Sequence, residues 1–141
     1  NLAIGTDGCA SNNDLDMFGE TRTAAILAKA VAEDAAAFDA FSALRAATLG
    51  GAKAIGFDHL VGSLEPGKQA DIACVDLSAL ETQPLHHVVS QLIYATGRQQ
   101  VSDVWIAGKP KLSARVLVDM DMDRIIANAK QWRGRIAAIG R

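Results

Sequence analysis

Hydrophobic and polar positions change rhythm twice along this chain, first helical, then short and strand-like, then helical again. Leu2 to Thr6 is a short apolar run bounded by Gly and Asp, which predicts a buried strand ending near Thr6 with Asp7 at its carboxyl end. Ser11, Asn12 and Asn13 follow, and their side-chain oxygens suit the orphan N–H groups of a first helical turn, so they predict a cap. From Asp14 to about Ala32, Leu15, Phe18, Ala25, Ala28 and Ala32 recur on one helical face, with Glu20, Lys29 and Glu33 elsewhere. A second helix is predicted from about Ala37 to Ile55 on the stripe Phe41, Leu44, Thr48, Ala52 and Ile55. Gly50 and Gly51 lie inside it, where each costs on the order of 1 kcal/mol relative to alanine. Close packing of another backbone against them is the expected reason.

After Gly56 the punctuation becomes Gly, Pro and short β-type runs. "GSLEPGKQ" predicts a turn, "ADIACVDL" a strand, and "VSDVWIAGKPKLSARVLV" two strands around a turn at Gly108 to Pro110. "PLHHVVSQLIYA" fits a short helix or a strand. Asp119 to Asp123 then lead into a helix with Ile125, Ala129, Trp132 and Ile136 on one face.

Composition narrows the class. The 141 residues are half hydrophobic and carry a net charge of -2, enough chain for a real core and no basic footprint for nucleic acid or an anionic membrane. Cys9 and Cys74 stand in small apolar settings and are expected to be buried thiols. With neither a secretory leader nor an apolar run of spanning length, a cytoplasmic protein is the expectation. The opening "NLAIG", without methionine and already strand-like, predicts a fragment.

Three motifs suggest chemistry and lack a necessary part. Gly62, Gly67 and Lys68 match the first part of a phosphate-binding loop, but Gln69 stands where Ser or Thr is needed and a strand follows, not a helix. Asp119, Asp121 and Asp123 have calcium-loop spacing, yet Arg124 replaces the required glycine, so helix capping is expected. His59, His86 and His87 form no pair spaced to share a metal, and Cys9 has no histidine near it in sequence. Asp7 has two readings: an Asp-Gly turn residue, or a carboxylate at the end of a parallel strand, where barrel enzymes place catalytic groups.

"GTDGCASNNDLDMFGETRTAAILAKA" resembles the segment around the last barrel strand of the amidohydrolase superfamily, in the branch of 5-methylthioadenosine/S-adenosylhomocysteine deaminases. The similarity continues through "ALRAATLGGAKAIGF", "VGSLEPGKQADIACVDL", "VVSQLIYATG" and "VSDVWIAGK". It implies an α/β fold: the C-terminal part of a metal-dependent (β/α)8 TIM barrel in residues 1–55, the C-terminal part of a small composite β-sandwich in 56–118, and a C-terminal helix in 119–141. It also implies that Asp7 is both a catalytic residue and a ligand to a divalent metal, zinc above all, and that the reaction is hydrolytic deamination of an aminopurine nucleoside by metal-activated water. The family's histidine ligands and its proton-transferring glutamate have no counterpart here, so the chain alone is expected to be inactive. Its expected partners are a small-molecule substrate and the remaining N-terminal portion, or further copies of itself in a homo-oligomer. Two other readings are a triazine- or guanine-type amidohydrolase and a noncatalytic α+β interaction or structural domain.

Overall fold

The computed structural model describes residues 1–139. Helix α1, Met17–Ala32, starts where Asp16 accepts a hydrogen bond from the Phe18 N–H, and it stops at Glu33, whose φ of 52° turns the chain into the left-handed region. The cap is therefore Asp16 and not Ser11, Asn12 or Asn13, and the helix begins three residues later than the periodicity suggests. The reason is competition: the Ser11 side chain is engaged by Asp7 and the Asn12 side chain by Glu20 of α1.

The second helical run starts at Ala40, not Ala37, because Asp39 takes the Ser42 N–H and caps it there. It comprises α2, Ala40–Arg45, a π-helical turn, Ala46–Gly50, and α3, Gly51–Ala54. The close packing expected of the two glycines holds for one of them. A Cβ on Gly50 would fall 2.3 Å from the Leu2 carbonyl oxygen, whereas one on Gly51 would meet nothing nearer than Ala46 O at 3.9 Å.

Strand β1, Ile72–Val75, follows the "GSLEPGKQ" turn, in which Lys68 pairs with Glu65 and donates to Ser63. The undecided segment is helical, α4, Val88–Tyr94, with His87 Nδ1 accepting from the Ser90 N–H at 3.1 Å. Strands β2, Val101–Ile106, β3, Lys109–Ser113, and β4, Val116–Leu117, complete an antiparallel sheet in the order β1-β2-β3-β4. The first hairpin turns at Ala107 and Gly108, so Pro110 lies inside β3 opposite Trp105. The turn expected at Gly108 to Pro110 thus sits further back, since two successive left-handed residues close a two-residue hairpin. Helix α5, Met122–Ile139, ends the described chain, with Asp121 accepting from the Arg124 N–H as a cap.

The core is thin. Ala25, Ala40, Ala43 and Ile93 are buried together, with Phe38, Leu44, Val89 and Tyr94 packed against them. Of the stripe predicted on the first helix only Ala25 is buried, while Leu15 and Ala32 are exposed. On the second helical run the buried positions are Ala40, Ala43, Ala46, Gly50 and Ala52, and Phe41, Thr48 and Ile55 face out. Cys9 and Cys74 are exposed, contrary to the expected buried thiols: Cys9 lies in the turn after Asp7 and Cys74 on β1, an edge strand of the sheet. Leu2 to Thr6 is not a strand. A strand exists only through a ladder to a neighbour, and the link from this run to the helices is a hydrogen bond from Ile4 N to Ala46 O at 3.2 Å.

Candidate functional site

Asp7 stands at the carboxyl end of that extended run and has a φ of 57°, a conformation few residues other than glycine adopt. Its carboxylate is fixed by its own loop. Oδ1 accepts from the Gly8 N–H and Oδ2 from the Ser11 hydroxyl, both at 2.7 Å. The Gly8 carbonyl in turn accepts from the N–H groups of Ser11 and Asn12 at 3.0 and 2.9 Å, closing a tight turn beneath the carboxylate. The Ser11 hydroxyl, then the Gly8 N–H, hold the Asp7 carboxyl below its ordinary pKa of 3.8, so it is ionised at neutral pH. The turn reading of Asp7 holds, and the turn leaves its charged oxygen pair exposed.

The loop is bound to the helix behind it. Asn12 Nδ2 donates to Glu20 Oε1 at 2.7 Å, and Asn12 Oδ1 accepts from the Asp14 N–H at 3.0 Å. Ser11 and Asn12, expected as caps, instead orient Asp7 and anchor its loop. Glu20 was visible in the sequence only as a polar position on the helix, and its eight-residue separation from Asn12 fits no local motif. A hydrogen-bond partner of this kind is recognisable only once the loop is folded.

The donor set around Asp7 supports one metal contact. An ionised carboxylate is a suitable hard oxygen ligand for zinc, but a catalytic zinc needs three protein ligands in general. Among the described residues no three His, Cys, Asp or Glu side chains converge. His59, His86 and His87 thus join no such cluster, and His87 serves as a helix cap. A wide apolar cleft of about 750 Å³ lies between the helices and β1, lined by Phe18, Leu44, Ala52, Val61 and Ile72 among others, and it does not include Asp7. No helix among the described residues is long and apolar enough to cross a membrane.

The same sequence and shape recur in known proteins. A sequence model of the amidohydrolase family matches residues 1–111. A 5-methylthioadenosine/S-adenosylhomocysteine deaminase of Teredinibacter turnerae is 52% identical over 138 residues, 98% of this chain and 31% of its own length. The deaminase of that name from Saccharophagus degradans is 41% identical over the same shares of both chains. In three dimensions the chain superposes on an adenosine deaminase from Xanthomonas campestris with bound zinc, with a TM-score of 0.95 and 74% identity, over 97% of this chain and 31% of that one. It also superposes on the atrazine chlorohydrolase of Arthrobacter aurescens complexed with zinc, with a TM-score of 0.80 and 30% identity, over 88% of this chain and 28% of that one. The chain spans about a third of the length of these relatives.

Proposed function

This chain belongs to the amidohydrolase family, and we propose that it forms the C-terminal part of a zinc-dependent deaminase acting on an aminopurine nucleoside of the 5-methylthioadenosine/S-adenosylhomocysteine type. The observation that carries the reading is the Asp7 turn, an ionised carboxylate held by Gly8 and Ser11 at the mouth of the helical layer. On this reading Leu2 to Thr6 is the last strand of a (β/α)8 barrel, and it acquires its ladder from strands outside these 141 residues. The sheet β1–β4 is one part of a composite sandwich, and the uncovered apolar side chains of α1 and α2 meet the remainder of the barrel. The other metal ligands and the substrate-binding loops also come from that remainder.

A bound divalent cation lowers the pKa of a water it contacts to about 7. Asp7 would be one of the residues holding such a cation, and its carboxylate would orient the attacking water toward the amino-bearing ring carbon. The carboxylate accepts a proton from that water as the new C–O bond forms. The C–N bond then breaks and ammonia leaves with the proton, so water and amine become an oxo product and ammonia. Ser11 and Gly8 keep the carboxylate ionised, the form that binds a cation, and fix the direction of both oxygens.

Hydrolysis of a triazine is the weaker reading, since the atrazine chlorohydrolase shares 30% of residues and the adenosine deaminase 74%. The test is Asp7→Ala and Asp7→Asn in the complete protein, assayed for ammonia release from 5-methylthioadenosine and for zinc content. Either change is expected to lower kcat by at least about 100-fold and to reduce the zinc retained after dialysis. Parent-like turnover with full zinc would remove Asp7 from the mechanism.

A further inference from the structure

We propose that Arg98 is a positioning residue that holds the Asp7 loop from the sheet side, a role that rests on the reading of Asp7 above. Arg98 opens the short 3-10 turn, Arg98–Gln100, that leads into β2, and it reaches a residue 84 positions earlier in the chain. Nη1 donates to the Asp14 carbonyl oxygen at 2.7 Å, while Nη2 lies 2.6 Å from Asp14 Oδ1. The planar fork therefore grips main chain and side chain of one residue together, which a single point charge could not do.

From Asp14 the contacts run inward to the carboxylate. The Asp14 N–H donates to Asn12 Oδ1, and the adjacent Ser11 donates to Asp7 Oδ2. The loop is thus pinned at two points, to α1 through Asn12 and Glu20 and to the sheet through Asp14 and Arg98. The Arg98 and Asp14 side chains are 59% and 62% exposed, and ion pairs so open to solvent add little to global stability. Their effect is geometric: they set where the turn carrying Asp7 sits relative to the rest of the molecule. A catalytic group displaced by a fraction of an ångström loses rate steeply.

The test uses the complete enzyme. Arg98→Ala is expected to lower kcat about tenfold with KM within about twofold, and to speed amide exchange across residues 8–16 about tenfold without changing exchange in β2 and β3. Arg98→Lys, which can keep one of the two contacts, restores part of both effects. Asp14→Ala, which leaves the carbonyl contact in place, has a smaller effect than Arg98→Ala and adds nothing to it. Unchanged exchange at 8–16, or faster exchange with kcat within twofold of the parent, overturns the proposal. Asp7→Asn measured alongside separates the two readings: full activity there defeats the role of Asp7, while exchange at 8–16 still decides whether Arg98 holds the loop.

Discussion

In the helical layer the side chains that meet are mostly alanines, whereas in the sheet the strands are joined by backbone ladders and by polar groups clamped onto their turns. Ala25, Ala40 and Ala43 are buried around Ile93, while Ile26, Leu27, Val31 and Phe41 on the same helices face outward, Val31 at 78% exposure. Contiguous uncovered apolar surface marks an interface. In the hairpins, Asp71 accepts from the Ala107 N–H at 2.7 Å and Asp103 from the Ala114 N–H at 2.9 Å, so each left-handed turn carries its own fastening. The sheet is specified largely by contacts within the chain, whereas the helices leave large apolar side chains uncovered.

The largest expected effect probes the core that the helices do share. Ile93→Ala should destabilise by about 2–5 kcal/mol, read from urea denaturation of the complete protein. Its counterpart on the outward face sharpens the contrast: Ile26→Ala, 53% exposed here, should cost no more than about 0.5 kcal/mol in the 141-residue chain and several times that in the complete protein. Equal small costs in both would mean that this face stays open. Next comes the turn. Ala114 has a φ of 47°, and Ala114→Gly trades roughly 1–2 kcal/mol of left-handed strain against about 0.4–1 kcal/mol of added chain entropy. A small rise in Tm is expected, and a fall would show that the hairpin does not hold that conformation.

The smallest effect depends on pH. Ser78, through its hydroxyl and N–H, and then Arg115 at 2.9 Å hold Asp76 at a pKa of about 2, down from 3.8. The folded value lies below the unfolded one, so this contribution is fully present above about pH 4 and is lost as pH falls through the folded value. The difference in Tm between the parent and Asp76→Asn should therefore shrink from pH 5 to pH 2. A difference independent of pH would show that Asp76 does not act through its charge.

Local signals in the sequence suffice where a residue's partner is close along the chain. Both strands around Gly108, the cap before Arg124 and the helix through Ala25 follow from propensity and spacing. Such signals fall short where side chains compete or where the partner is distant. Ser11 and Asn12 have cap chemistry, but Asp7 and Glu20 claim them, so Asp16 becomes the cap. Phe41 and Ile55 mark an apolar stripe, yet periodicity alone cannot say that the described residues of this chain leave it uncovered. Leu2 to Thr6 has strand composition without a neighbour to ladder with. Asp7 was marked by its position and by resemblance, whereas Arg98, far along the chain, carried no signal at all.

Gly50 and Gly51 look interchangeable as letters, but their surroundings assign them different histories. With the Leu2 carbonyl 2.3 Å from where a Cβ would stand, Gly50 admits no side chain unless the incoming segment moves away. Its neighbour has room for at least a methyl group. Drift among descendants of this sequence is thus closed at one position and open at the next, and the closed one records how near the run leading to Asp7 must pass.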